Sequence, residues 1–170
     1  MLTDLVQIRS LGEKQRDENL RFRMHLKRRN FAEPRLKRMA QEIEEEIDCT
    51  VCANCCRVAT VKIGQRDVDK LVRHLGMREH EFLDRYTSRS EDEGLVLRRD
   101  ENGCVFLQNG LCSVYDARPR TCVNFPHLAR GDGSLVSRMW LMADRACYCP
   151  IVYNTLDAWK AETRFNAVSR

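Results

Sequence analysis

Four of the nine cysteines fall within eight residues, and this cluster is the strongest chemical signal in the sequence. Cys49, Cys52, Cys55 and Cys56 form a CxxCxxCC motif. Two cysteines separated by two residues can both reach one metal, because the turn between them directs backbone N–H groups toward the site and stabilises its negative charge. A third cysteine at the same step and a fourth directly after it are poorly explained by packing alone. The motif therefore predicts a thiolate metal site.

Five more cysteines follow the motif, and the cellular compartment of the protein decides whether they are thiols or disulfides. The first 30 residues carry many charges and no apolar signal segment, and no stretch approaches the roughly 20 apolar residues that span a bilayer. We therefore expect a cytoplasmic protein with no membrane contact, in which the thiols stay reduced. Reduced thiols in a dense cluster favour metal ligation over structural disulfides.

An iron–sulfur site is one interpretation of the spacing. In the bacterial ferredoxin pattern three cysteines at two-residue intervals bind a [4Fe–4S] cluster, and a remote cysteine followed by proline supplies the last ligand. Cys49, Cys52 and Cys55 match the first part of that pattern, and Cys149 with Pro150 matches the second. This interpretation predicts electron transfer or activation of a substrate as the use of the cluster.

A zinc site is the alternative interpretation, since thiolates suit zinc and iron alike. One or two tetrahedral sites would combine a CxxC pair of the motif with later cysteines. Adjacent side chains point in different directions, so Cys55 and Cys56 are expected not to serve one ion equally. The later cysteines available to either metal are Cys104, Cys112, Cys122 and Cys149.

Arginines close to these cysteines are candidates for balancing the charge of the bound metal. Four thiolates on zinc, or around an iron–sulfur cluster, give a net anion, and a nearby guanidinium would offset it and raise a reduction potential. Arg57 directly follows the motif, and Arg118 is held next to Pro119. Both are predicted to contact the cofactor.

The hydrophobic pattern predicts a mixture of helices and short strands around these residues. Helices are expected over about 34–47, 67–75 and 82–86, and from Pro150 onward. Short strands are expected at 58–63, 95–97, 104–107, 111–115 and 135–142. A turn at Asn109 and Gly110 would join two of the strands and place Cys104 and Cys112 near the ends of one hairpin.

Apolar and basic residues alternate over residues 20–27, which indicates a strand or an extended basic arm. We accordingly predict an N-terminal extension at 1–33 and a metal-binding domain at 34–170. A composition of 43% apolar and 32% charged residues supports a folded chain, and a net charge of +4 is too small and too evenly spread to indicate nucleic-acid binding. The basic arm is instead a candidate surface for a protein or redox partner.

The ordered set of motifs resembles the YkgJ-like cysteine-cluster (CxxCxxCC) family of zinc- or iron-chelating domains over residues 47–150. The resemblance implies eight metal-binding cysteines, with Cys147 as the additional one, and it implies no particular reaction. The chain also has no GxGxxG nucleotide loop. The residues that carry the resemblance are Cys49, Cys52, Cys55, Cys56, Arg57, Asp67, Cys104, Phe106, Leu107, Gly110, Cys112, Tyr115, Arg118, Pro119, Cys122, Phe125, Pro126, Cys149 and Pro150.

Together these observations predict an α+β fold, helix-rich with short β-hairpins, organised around a cysteine metal cluster. The expected function is metal binding, as a [4Fe–4S] protein or as a zinc-dependent interaction module. Whether the chain is an enzyme is left open by the sequence.

Overall fold

The structure is a computed structural model that describes residues 1–29 and 31–166. It confirms a small α+β fold in which helices dominate and the strands form short antiparallel hairpins. The helices are α1 Leu5–Lys14, α2 Arg16–Arg28, α3 Glu33–Glu46, α4 Cys49–Cys52, α5 Asn54–Val58, α6 Gln65–Leu75, α7 Glu79–Tyr86, α8 Arg120–Asn124, α9 Leu135–Arg138, α10 Met142–Arg145 and α11 Pro150–Glu162. The strands are β1 Thr87–Ser90, β2 Gly94–Leu97, β3 Arg99–Asp100, β4 Gly103–Cys104, β5 Leu107–Gln108 and β6 Leu111–Cys112.

The chain divides into two compact units. The first, called here the helical unit, combines Met1–Asp48 with the chain from Pro126 onward. The second, the cysteine unit, is Cys49–Phe125. No helix in the described residues has both the length and the apolar character needed to cross a bilayer.

Large apolar side chains of several helices form the core of the helical unit. Ile8, Phe22 and Trp159 are fully buried. The indole Nε1 of Trp159 donates a hydrogen bond to the backbone oxygen of Leu36 at 2.9 Å, so the buried polar atom of the ring is satisfied. Helices α3 and α11 agree with the sequence prediction, and Pro150 starts α11 where a missing backbone N–H costs nothing.

The prediction of a strand or extended arm at residues 20–27 is wrong, because this segment lies within α2. The alternation hid a helical spacing: Phe22 and Leu26 are both buried, whereas Met24 between them is exposed. Asp17 and Glu18 in the first turn, and a basic last turn, also favour a helix by matching the helix dipole.

The strand predicted at 135–142 is also wrong, and short helices replace it. Leu135, Met139 and Met142 are buried at helical spacing. The Ser134 hydroxyl caps the start of α9 by accepting the Ser137 N–H at 3.2 Å.

Helices α6 and α7 pack with β1 and β2 to form the apolar core of the cysteine unit. Leu71, Phe82 and Leu97 are among its buried side chains. Residues 59–63 run alongside β2, and the Leu97 N–H donates to the Val61 oxygen at 3.0 Å. The strand predicted at 58–63 therefore reduces to one bridge between Lys62 and Val96.

Two minimal hairpins lie at the cysteine-bearing end of this unit. In one, Cys104 of β4 pairs with Arg99 of β3, and in the other, Cys112 of β6 pairs with Leu107 of β5. The expectation that Cys104 and Cys112 sit at the ends of one hairpin is therefore wrong. The predicted turn is confirmed, because Asn109 and Gly110 both have the positive φ that a two-residue hairpin loop requires.

Candidate metal centre

The CxxCxxCC motif folds into two short helices joined by one left-handed residue. Cys49 and Cys52 lie on α4, and Cys55 and Cys56 lie on α5. Ala53 between the helices has φ 46° and ψ 13°, a conformation that costs an L-residue about 1–2 kcal/mol. The sharp change of direction brings the motif back on itself within ten residues.

Two arginines hold the backbone of this motif. Arg57 donates from its guanidinium Nη1 to the Cys52 oxygen at 2.7 Å and so links α5 to α4. The guanidinium of Arg99 donates to the backbone oxygens of Arg57 and Val58, which are terminal carbonyls of α5. The register that pairs Arg99 with Cys104 thereby fixes this cysteine relative to the motif.

Gly103 lets the β3–β4 hairpin approach α5 closely. Its φ is +122°, and a Cβ there would lie 2.5 Å from the Cys56 oxygen and 2.8 Å from the Arg57 Cα. Both atoms are backbone and cannot move aside, so any side chain at this position would separate β4 from α5. The next residue, Cys104, is consequently held near Cys56.

Asp67 fixes the helix that carries Cys122. Its Oδ2 accepts the Gly64 N–H at 3.0 Å at the start of α6, and its Oδ1 accepts the Arg120 N–H at 2.8 Å at the start of α8. Beside it, the Thr121 hydroxyl donates to the Lys62 oxygen at 2.9 Å. One carboxylate thus caps two helices and sets the position of Cys122 on the core of the unit.

Cys56 interacts electrostatically with the other thiols of this group and differs from Cys104, Cys112 and Cys122 in having a lowered pKa. A hydrogen bond with Cys55 lowers the pKa of the Cys56 thiol to about 7, and the guanidinium groups of Arg118 and Arg57 add to the effect against the opposing cost of burial. A thiolate is therefore accessible at Cys56 near neutral pH. It is the form in which cysteine binds a metal.

The thiols that face Cys56 are shifted in the opposite direction. Burial raises the pKa of Cys104 to about 11 and that of Cys122 to about 12, and repulsion by Cys56 and Cys112 contributes to both. The pKa of Cys112 is also raised, first by burial and then by Cys56. Four thiols from four elements therefore influence one another, and a cation among them would reverse the repulsion that opposes their ionisation.

Arg118 stands beside this group and is held by an aromatic ring. Its guanidinium carbon lies 3.4 Å from the centre of the Tyr115 ring, and its Nε donates to the Tyr115 oxygen at 2.9 Å. Its positive charge contributes to the lowered pKa of Cys56 and opposes the rise in the pKa values of Cys112 and Cys122. A charge in this position would balance an anionic centre, and the contact of Arg118 with a cofactor stays a prediction.

The nine cysteines, all present as thiols, divide between the two units. The structure brings Cys56 together with Cys55, Cys104, Cys112 and Cys122. Cys49 and Cys52 lie earlier in the same unit, whereas Cys147 and Cys149 belong to the helical unit. The ferredoxin-like set that includes Cys149 stays a prediction.

The donors fit a zinc ion or an iron centre by their chemistry, because the coupled thiols are soft ligands surrounded by guanidinium groups. Within the described part of the chain, no three cysteine, histidine or acidic side chains stand close enough to hold a single ion without moving. Elements of two to five residues carry these cysteines, and we expect such short elements to move when a metal binds. Metal binding would then be coupled to local ordering.

Sequence reasoning did not identify Arg99 and Gly103 as parts of the site. Arg99 is 42 residues from Arg57, and only the paired strands bring its guanidinium to α5. Gly103 carried one usable signal, since an Asn-Gly pair directly precedes Cys104 and predicts a turn. Asp67 was predicted to begin a helix and also belongs to the resemblance, and its two hydrogen bonds explain why a carboxylate occurs there.

Residues 48–150 match one known protein family, CxxCxxCC, described as "Putative zinc- or iron-chelating domain". The matched segment contains every cysteine of the chain and covers more than half of its length. No curated protein and no solved structure matches the chain significantly.

Proposed function

Because the chain belongs to the CxxCxxCC family of zinc- or iron-chelating domains, we propose that it holds a [4Fe–4S] cluster used for electron transfer or substrate activation. Metal binding is the property that the family gives directly. The thiols of Cys56, Cys104, Cys112 and Cys122 are the ligands that we assign. Such a cluster supplies one-electron chemistry or a Lewis-acidic iron when bound.

The shallow, arginine-lined position of the thiols is the observation that carries this proposal. Cys56, Cys104 and Cys112 are each only partly buried, so an electron has a short path to the surface. Arg118 faces three of the four thiols, and positive charge beside a cluster raises its reduction potential. A guanidinium would also balance the charge of a zinc site, so it is the shallow position of the thiols that favours electron transfer.

The surface around the cysteines suits contact with a redox partner. Exposed apolar side chains directly precede or follow cysteines in the sequence: Leu111 is 62% exposed and Val123 is 41% exposed. Val51, between Cys49 and Cys52, is 81% exposed. We propose an electron-transfer protein as the partner, and a reducing cytoplasm as the compartment that keeps the ligands ionisable.

The experiment is elemental analysis of the full chain purified without oxygen, with acid-labile sulfide and a visible spectrum. About four iron and four sulfide per chain, with a brown colour, are expected for a cluster of this type. Cys122→Ser should remove most of the iron and sulfide. Cys147→Ser is the matched control, and it should retain them.

A structural zinc module is the second candidate, and one observation favours it. The four assigned thiols come from four separate short elements, α5, β4, β6 and α8, and joining such elements is the role of a closed four-thiolate zinc site. One or two zinc per chain without sulfide would replace the iron–sulfur proposal by this one. Iron and sulfide that survive Cys122→Ser but are lost in Cys149→Ser would instead show that the ferredoxin-like ligand set is used.

A further inference from the structure

A cavity of about 490 Å³ lies wholly within the helical unit, between α2, α3 and α9. Its lining combines basic side chains from α2 and the following loop with an apolar floor. We propose that this cavity binds a small organic anion, one that joins a phosphate, sulfonate or carboxylate group to an apolar body. The volume is in the range of pockets that enclose such ligands. This site is independent of the metal centre.

Three cations at the cavity have no opposite charge to neutralise them. Arg23, Lys27 and Arg29 all line it. Some surface cations of the helical unit form ion pairs, such as Arg35 with Glu162 at 2.8 Å, but among the described residues these three form none, and what distinguishes them from Arg21 and Arg28 is that they line one cavity. Their repulsion is relieved by bringing an anion between them, which gives the cavity a preference for negative ligands.

The one carboxylate in the lining is already occupied. Glu33 Oε1 lies 2.8 Å from Lys37 Nζ and accepts the Leu135 N–H at 3.2 Å. The Glu33 carboxylate therefore pairs with Lys37 and the Leu135 N–H and forms no ion pair with Arg23, Lys27 or Arg29 in the described structure. The cavity keeps a net positive charge although it contains an acidic residue.

Arg23 has a donor that the protein leaves unused. Its Nε is buried and has no hydrogen-bond partner among residues 1–29 and 31–166. A buried donor without an acceptor is unfavourable, and a small rotation of the side chain toward a ligand oxygen would satisfy it. The guanidinium carbon lies 5.3 Å from the centre of the Trp140 ring, a cation–π contact that restrains the side chain.

The cavity also has apolar surface. Phe31 and Val136 line it and are only partly buried. Beneath them lie Leu26, Leu36 and Leu135, which also line the cavity and are each no more than 4% exposed. An inorganic anion would leave this surface wet, whereas an organic anion would cover it and gain the free energy of apolar burial.

Two fluorescent probes, used on the full chain, test whether the cavity binds an apolar body and whether it prefers one that carries an anionic group. 8-Anilinonaphthalene-1-sulfonate carries an anionic group on an aromatic body, and N-phenyl-1-naphthylamine is the same body without the sulfonate. In titrations at physiological salt the sulfonate should bind at one site per chain, about tenfold more tightly than its neutral analogue. A competing organic anion without fluorescence, such as laurate, should displace it.

Paired charge variants on α2 locate the site. R23Q/K27Q should weaken sulfonate binding about tenfold and leave the neutral probe unchanged. R21Q/R28Q removes the same charge from the same helix at residues that do not line the cavity, and it should bind like the wild type. Circular dichroism of both variants confirms that α2 is intact.

Three results would overturn the proposal: equal affinity for the two probes, equal losses in the two double variants, or binding at several weak sites per chain. Each outcome is independent of metal content. A failure here would leave the metal centre untouched, and a colourless zinc protein would leave this proposal untouched.

Discussion

The two units of this chain differ in what holds them together. Helices α1, α2, α3 and α11 of the helical unit are 10 to 14 residues long and enclose fully buried side chains such as Trp159. The thiol-bearing elements of the cysteine unit are helices of four or five residues and strands of two. Elements that short have little cooperative stability of their own. The helical unit therefore relies on apolar burial, whereas we expect the cysteine end to need a bound metal for its stability.

Metal removal should affect more elements than any single substitution, and it should separate the two units. In hydrogen exchange of the protein before and after chelation, amides of α4, α5 and α8 should lose about 100-fold or more of their protection, because structural metal supplies local folding free energy. Amides of α11 should keep theirs. Equal loss in α11 would show that both units depend on the metal.

The indole of Trp159 is the corresponding anchor of the helical unit. Trp159→Ala should lower the free energy of unfolding by about 3–5 kcal/mol, since it empties a large volume in the core and frees the Leu36 oxygen. Urea denaturation measures this. Trp140→Ala is the matched control, because Trp140 is 63% exposed, and it should change stability by about 0.5 kcal/mol or less.

Local sequence signals predict some elements of this chain correctly and others incorrectly. Local signals were sufficient for α3 and α11, where proline starts a helix and apolar residues repeat along one face, and for the turn at Asn109 and Gly110. They failed in α2, where Arg and Lys fill the positions between apolar residues. Residues 20–27 fit both a strand, with a period of two, and a helix, with Phe22 and Leu26 four residues apart on one face. Only packing against other helices decides between the two structures.

The candidate site was predictable in its residue types and not in its grouping. Spacing predicts the cysteines as ligands, and its iron–sulfur interpretation groups Cys49, Cys52 and Cys55. In the structure Cys56 interacts with Cys104, Cys112 and Cys122, three of the later cysteines that the zinc interpretation joins to the motif. The close approach of β4 to α5 decides whether Cys55 or Cys56 lies near the later cysteines. That approach is set by a glycine and a long-range guanidinium contact, which no local pattern encodes.

Asp67 links the apolar core of the cysteine unit to its thiol end. Asp67→Ala removes both hydrogen bonds of the carboxylate and should cost the unit about 1–2 kcal/mol, with faster amide exchange in α8. Metal content should fall with it, because Cys122 loses its fixed position. Asp69→Ala on the same helix, whose carboxylate contacts Gln65, should leave α8 unchanged.

The left-handed residue between α4 and α5 offers a smaller test of the thiol end. Ala53→Gly relieves the strain of a positive φ and should raise metal-free stability by about 0.5 kcal/mol, the strain relief being partly offset by the loss of a buried methyl group. Ala59 has an ordinary extended backbone, so Ala59→Gly should instead lower stability by a similar amount. Thermal unfolding of the two variants compares the signs, and a loss in both would show that the Ala53 backbone is unstrained.

Two glutamates of the helical unit provide the smallest effects and oppose each other in sign. Burial raises the pKa of Glu44 in spite of Arg130 beside it, so the folded state binds a proton at this carboxyl more tightly than the unfolded state does. The ionised carboxylate therefore lowers the stability of the fold at pH 7, and this cost disappears as the pH falls below the unfolded pKa. Glu44→Gln should thus be slightly more stable than the wild type at pH 7 and equal to it near pH 3.

For Glu33 the sign is reversed, because a hydrogen bond from Lys37 lowers the pKa of its carboxyl. Its contribution is present above the unfolded pKa and is lost as the pH falls through the folded pKa. Glu33→Gln should therefore be slightly less stable than the wild type at pH 7, and the difference should vanish in acid. Urea midpoints of the two variants and the wild type at pH 7 and pH 3 show whether each stability difference has the expected sign and disappears in acid. If both variants were destabilised at pH 7, the ion pair with Arg130 would outweigh the burial of Glu44, and the helical unit would depend on charge as well as on its apolar core.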